Sequence, residues 1–129
     1  HAALAHGGNH VVTVVLDAVE ALRAALRGQE LLGQEAVGDA PGGIAERVLA
    51  PLARASLEIA LQRGQSALTG PVARGDSAAV IRHLRALEDV DSQLAQAYRA
   101  NSLTTAQRAH ASADVFDALA DQPNEGGRP

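Results

Sequence analysis

From Asn9 to Arg27 the chain reads NHVVTVVLDAVEALRAALR. The β-branched VVTVV run alone suits a strand. Its continuation does not: Val15, Val19, Leu22 and Leu26 recur at steps of 4, 3 and 4, one face of a helix. Val12, Val14 and Leu16 fall on the other faces, so the first half of this predicted helix is apolar nearly all round, as in a central or interface helix. The preceding HAALAHGGNH reads as helix interior without a cap or an initiator Met, so the chain is expected to be cut from a longer protein. Gly7 and Gly8 there can bend the helix or admit another backbone. Residues 28–43 hold five Gly and one Pro and predict a connector, with a short helical turn around Leu31 and Leu32. A second helix is predicted over 44–63, with Ile44, Val48, Leu52, Ala55 and Ile59 on its buried face. Pro51 is expected to kink it and Gly64 to cap it. A third helix, 77–100, follows the seam Val80, Leu84, Leu87, Leu94 and Tyr98. Asp91 falls in that seam and is expected to turn to solvent while Val90 covers the core. Ser102 or Thr104 caps a fourth, Ala-rich helix ending near Leu119, and 121–129 is predicted to be disordered. The expected fold is all-α, a bundle of four main helices over residues 1–120.

Composition narrows this picture. A chain of 129 residues supports one domain, and 47% hydrophobic residues allow a true core. Tyr98 and Phe116 are the only aromatic residues, so that core is aliphatic. The net charge of −4 and the lack of a basic stripe argue against nucleic acid as a partner. No apolar run reaches membrane-spanning length, and neither a signal peptide nor a membrane partner is expected. Cys is absent, which fits a cytoplasmic protein. All eleven positive charges are Arg, so no lysine acid, base or Schiff base can operate.

The stretch ALTGPVARGD, 67–76, interrupts the helical pattern. Asp76 stands where it can cap the third helix, and Gly75 permits a tight turn before it. Capping leaves Arg74 unexplained, and an Arg beside a helix N-terminus can hold an anion together with free N–H groups. His6, Asn9 and His10 stand at i, i+3 and i+4 and share a face if helical. A His pair at i, i+4 can bind a metal, but the first carboxylate is Asp17, and no metal site is expected. A polar, substrate-facing patch is the stronger functional reading; ordinary exposure explains the same residues. His83 lies two turns beyond Asp76 and can project back toward the loop. The sequence carries neither a G-x-S-x-G nucleophile motif nor a glycine-rich phosphate loop. The all-round apolar first helix predicts a homodimer, since a small monomer could hardly bury it.

Taken together, HAALAHGGNH, VLAPLARAS, ALTGPVARGD, HLRAL and a late Tyr form a pattern. It resembles the C-terminal helical domain, of unknown function, of a family of Rossmann-fold oxidoreductase-like proteins. That domain is similar in fold to the C-terminal domains of 6-phosphogluconate dehydrogenase, ketopantoate reductase and pyrroline-5-carboxylate reductase. His1 and Asn9 match the family's spacing in the first helix. The stretch L-T-G-P-x-x-R-G-D is matched in full by Leu68, Thr69, Gly70, Pro71, Arg74, Gly75 and Asp76. The resemblance covers about residues 1 to 110. It implies a missing N-terminal Rossmann domain that binds NADP or NAD, and a helical domain that closes a substrate cleft and dimerises. It implies Asn9 as a substrate contact. The Lys that many relatives place one turn from this Asn is absent, and His6, by its spacing from Asn9, is the candidate proton donor instead. The candidate catalytic residues are thus His6 and Asn9. The candidate set for a small anionic substrate is Asn9, Thr69, Arg74, Asp76 and His83. The fragment alone is expected to be inactive. The alternative is a dimeric scaffold or small-anion sensor without catalysis.

Overall fold

The computed structural model describes residues 1–28 and 42–120, and among these it contains helices and no strand. The all-α expectation therefore holds. The helical turn expected near Leu31 and the tail 121–129 lie outside the described residues. No helix among the described residues is long and apolar enough to cross a membrane. The chain divides into two compact units, His1–Gly64 and Gln65–Pro129.

In the first unit, α1 (Ala2–Arg27) pairs with α2 (Ile44–Arg63). The VVTVV run is helical, as its continuation predicted. Helix α1 starts earlier than Asn9 and runs straight through Gly7 and Gly8. A Cβ added at either glycine would meet nothing within 4 Å, so nothing nearby requires a bare backbone there. Val19 is buried, and Leu22 and Leu26 are half-buried on the predicted face. Helix α2 corrects the prediction. Of its expected face, Val48, Leu52, Ala55 and Ile59 are exposed, whereas Ala45 is buried and Leu49 and Ala53 are half-buried. The inward face is fixed locally by an ion pair from Arg23 of α1 to Glu46 of α2. Helix α2 passes through Pro51 and ends at Gly64, whose φ of 56° and N–H bond to Ala60 O make it the expected cap.

The second unit packs α3 (Gly70–Arg74), α4 (Ser77–Glu88), α5 (Ser92–Ala109) and α6 (Ala113–Leu119) around one aliphatic core. Val72, Val80, Leu84, Ala106, Val115, Ala118 and Leu119 form it, with Tyr98, Leu103 and Phe116 packed against it. The predicted helix 77–100 is broken. Helix α4 stops at Asp89, and Asp91 takes an extended backbone and accepts a hydrogen bond from Gln93 N–H at 2.7 Å, capping α5. The residue that violated the seam is thus a helix start. Three carboxylates at 88, 89 and 91 also oppose the dipole at the end of α4. The predicted cap at Ser102 or Thr104 is likewise corrected, because both lie inside α5. Ser102 is buried, and Thr104 and Thr105 return their hydroxyls to the carbonyls of Ala100 and Asn101. Helix α5 ends at His110 instead. His110 is left-handed (φ 52°), with Ala111 N–H on Ala106 O and His110 N–H on Gln107 O. Arg99 closes the other end of this packing by donating to the carbonyls of Leu119 and Ala120 at the end of α6.

Candidate functional site

The stretch 67–76 is built as a stop and a restart. Thr69 is extended and precedes α3, with no side-chain cap bond of its own. Gly70 takes φ 86°, and Pro71 opens the short helix with its fixed φ. Val72 drops into the core and anchors the turn. Gly75 then takes φ 79°, Asp76 N–H bonds Pro71 O at 2.9 Å, and Gly75 N–H bonds Val72 O at 3.3 Å. This paired closure of a helix end needs a left-handed residue, and glycine adopts it without a Cβ penalty. The very next side chain, Asp76, accepts from Ala79 N–H at 2.9 Å and starts α4. The capping prediction for Gly75 and Asp76 is met.

The same geometry limits what Arg74 can recruit. The N–H groups of Gly75, Asp76, Ser77 and Ala79 all donate within the turn. The free N–H groups invoked for an anion beside Arg74 are therefore largely taken. Arg74 itself is exposed at the end of α3.

His83 pairs with a residue of another helix. Its Nδ1 lies 3.0 Å from the Tyr98 hydroxyl on α5, with the rings edge to face at 5.9 Å. Burial pushes the Tyr98 phenol above its ordinary value of 10.0, and a hydrogen bond with the Ser102 side chain partly offsets this. Ser102, Tyr98 and His83 thus form a polar chain from a buried hydroxyl to an exposed imidazole. Sequence reading placed Tyr98 only in the core seam. The signal available was that a half-buried Tyr needs a hydroxyl partner, and the i, i+4 relation to Ser102 supplied one.

On α1, His6 and His10 are brought together: their Nδ1 atoms lie 2.8 Å apart and their rings meet at 90°. Asn9 shares the helix, and its carbonyl accepts from the Thr13 hydroxyl at 3.3 Å. All three of His6, Asn9 and His10 are exposed. The candidate residues therefore fall into two groups in separate units, His6 and Asn9 in one, Thr69, Arg74, Asp76 and His83 in the other. Among the described residues no three His, Cys, Asp or Glu side chains cluster as a metal cage.

An all-α domain carrying a polar face on one long helix and a Gly-Pro…Arg-Gly-Asp helix junction is the class defined so far. The chain belongs to the family described as a domain of unknown function (DUF2520), whose model matches residues 1–105. That match takes in α1, α2, the junction and most of α5. Neither a curated protein nor a solved structure matches the chain.

Proposed function

We propose that the chain is the substrate-binding and dimerisation domain of an NAD(P)-dependent oxidoreductase acting on a small acidic keto or imino compound. The motif likeness to the C-terminal helical domain of Rossmann-fold oxidoreductase-like proteins, itself similar in fold to the C-terminal domains of ketopantoate reductase, pyrroline-5-carboxylate reductase and 6-phosphogluconate dehydrogenase, supports it. The observation that carries it is α1, where His6, Asn9 and His10 stand exposed beside apolar residues that are also exposed, Leu4 at 78%, Val12 at 58% and Leu16 at 60%. A helix of this kind suits a surface completed by other protein and by substrate. In this reading a Rossmann domain holds NADP or NAD, since this chain has no glycine-rich phosphate loop. Asn9 contacts the substrate and His6 supplies a proton. Arg74, exposed at the end of α3 in the second unit, is the candidate holder of an anionic group. The protein works in the cytoplasm as a homodimer.

The test is thermal stability of the full-length parent protein, titrated with NADPH and NADH with and without small 2-keto and imino acids. A cofactor shift that grows with one acid and disappears in Arg74→Ala or Asn9→Ala is expected. A second reading, a dimeric scaffold or small-anion sensor, is favoured by the absence of Lys and by the internal use of the N–H groups beside Arg74. A well-folded dimer with no cofactor shift would select it.

A further inference from the structure

Two imidazole nitrogens held close together on a solvent-facing helix have a use beyond hydrogen bonding. The His6 and His10 Nδ1 atoms are 2.8 Å apart. Two metal–nitrogen bonds of about 2.0–2.1 Å meeting at a right angle place their nitrogens about 2.9 Å apart. A His pair at i, i+4 on one helix face can bring two ring nitrogens to a single metal ion by rotation of the side chains. The space around the pair is open. Both rings are exposed. Side chains lean toward the helix N-terminus, and the turn before His6 presents only the methyl groups of Ala2 and Ala3. The next residue, Gly7, has no side chain, and even an added Cβ there would meet nothing within 4 Å.

We propose that His6 and His10 form a two-nitrogen chelating site for a divalent transition-metal ion, with Cu²⁺ bound most tightly. Imidazole is a good ligand for copper, nickel and zinc, and for a given nitrogen site Cu²⁺ binds more strongly than either neighbour. The remaining positions go to water or to an anionic group from outside. Ligation through Nδ1 leaves the His6 Nε2–H as a donor. The site therefore stands whether or not His6 serves a reductase.

The experiment is titration of the metal-free chain, N-terminally acetylated so that the His1 amine cannot chelate, with Cu²⁺, then Ni²⁺ and Zn²⁺, followed by calorimetry and by the visible absorption of bound Cu²⁺. One ion per chain is expected, in the order Cu²⁺ above Ni²⁺ and Zn²⁺, with helicity kept and the thermal midpoint raised. His6→Gln or His10→Gln is expected to weaken Cu²⁺ on the order of a hundredfold, because a chelate becomes a single ligand. Both sites are exposed and the variants keep the helix, which circular dichroism checks. His83→Gln and His1→Ala are expected to leave binding unchanged. No stoichiometric binding to the wild type overturns the proposal. So does binding that survives His6→Gln, or that is lost in His1→Ala. Failure of the cofactor titration above leaves this result untouched.

Discussion

Gly75 and Asp76 do separate jobs at adjacent positions, and each can be removed alone. Gly75→Ala puts a Cβ on a left-handed residue and is expected to cost about 1–2 kcal/mol. Space is not the reason, since that Cβ would meet Ser112 Oγ at an ordinary 3.5 Å. Asp76→Ala removes the bond to Ala79 N–H and is expected to cost about 1 kcal/mol. Chemical denaturation of the chain measures both. Tyr98 gives a cleaner signal. The chain has no Lys, no Cys and one Tyr, so no other side chain titrates near pH 10. Its phenol is raised in the folded state above the ordinary 10.0. Stability is then unaffected by this group below about pH 10 and falls as pH climbs through the raised folded value. Tyr98→Phe is expected to abolish that alkaline decline in the thermal midpoint. Asp76 was legible because a cap acts on its own next turn. The His83 contact was not legible because its partner, Tyr98, sits on another helix fifteen residues away, and spacing within one helix carries no information about that.

Helix existence was easier to read than helix ends. The 3.6-residue pattern found α1 and α2, yet it ran α4 and α5 together. Hydrophobic periodicity continued across the junction, and the Asp91 cap was its only interruption. The same pattern misjudged α2, which carries apolar residues on two sides, Val48 and Leu52 on one, Ala45 and Leu49 on the other. Only contact with α1 decides which side is inward. The end of α5 was missed because a histidine, not a glycine, holds the left-handed position. His110→Gly relieves that backbone and is expected to stabilise the second unit by about 1 kcal/mol. A rise in denaturant midpoint at unchanged slope is the expected readout. A fall would mean that the His110 ring makes a contact worth more than the strain.

For the whole molecule, the all-α fold class and membership of a domain family of unknown function were legible, the first from periodicity and the second chiefly from the Gly-Pro…Arg-Gly-Asp junction. The division of the candidate residues between two units was not, because spacing within a helix does not say which helices pack together. Self-association is the property most exposed to test at this scale. Val15→Glu on α1 is expected to shift a homodimer toward monomer in sedimentation velocity, and a monomeric wild type would sink the dimer.

The segment 11–16 has a further consequence. VVTVVL carries no charge, no Pro and no Gly, and every residue but the last is β-branched. It is held as helix, with Val12 and Leu16 turned to solvent. If α1 unwinds, those six residues become a strand that pairs with copies of itself, the composition of a steric zipper. The chain's hazard is then fibril formation on heating, seeded at a helix. A homodimer that covered α1 would then also guard the chain's solubility.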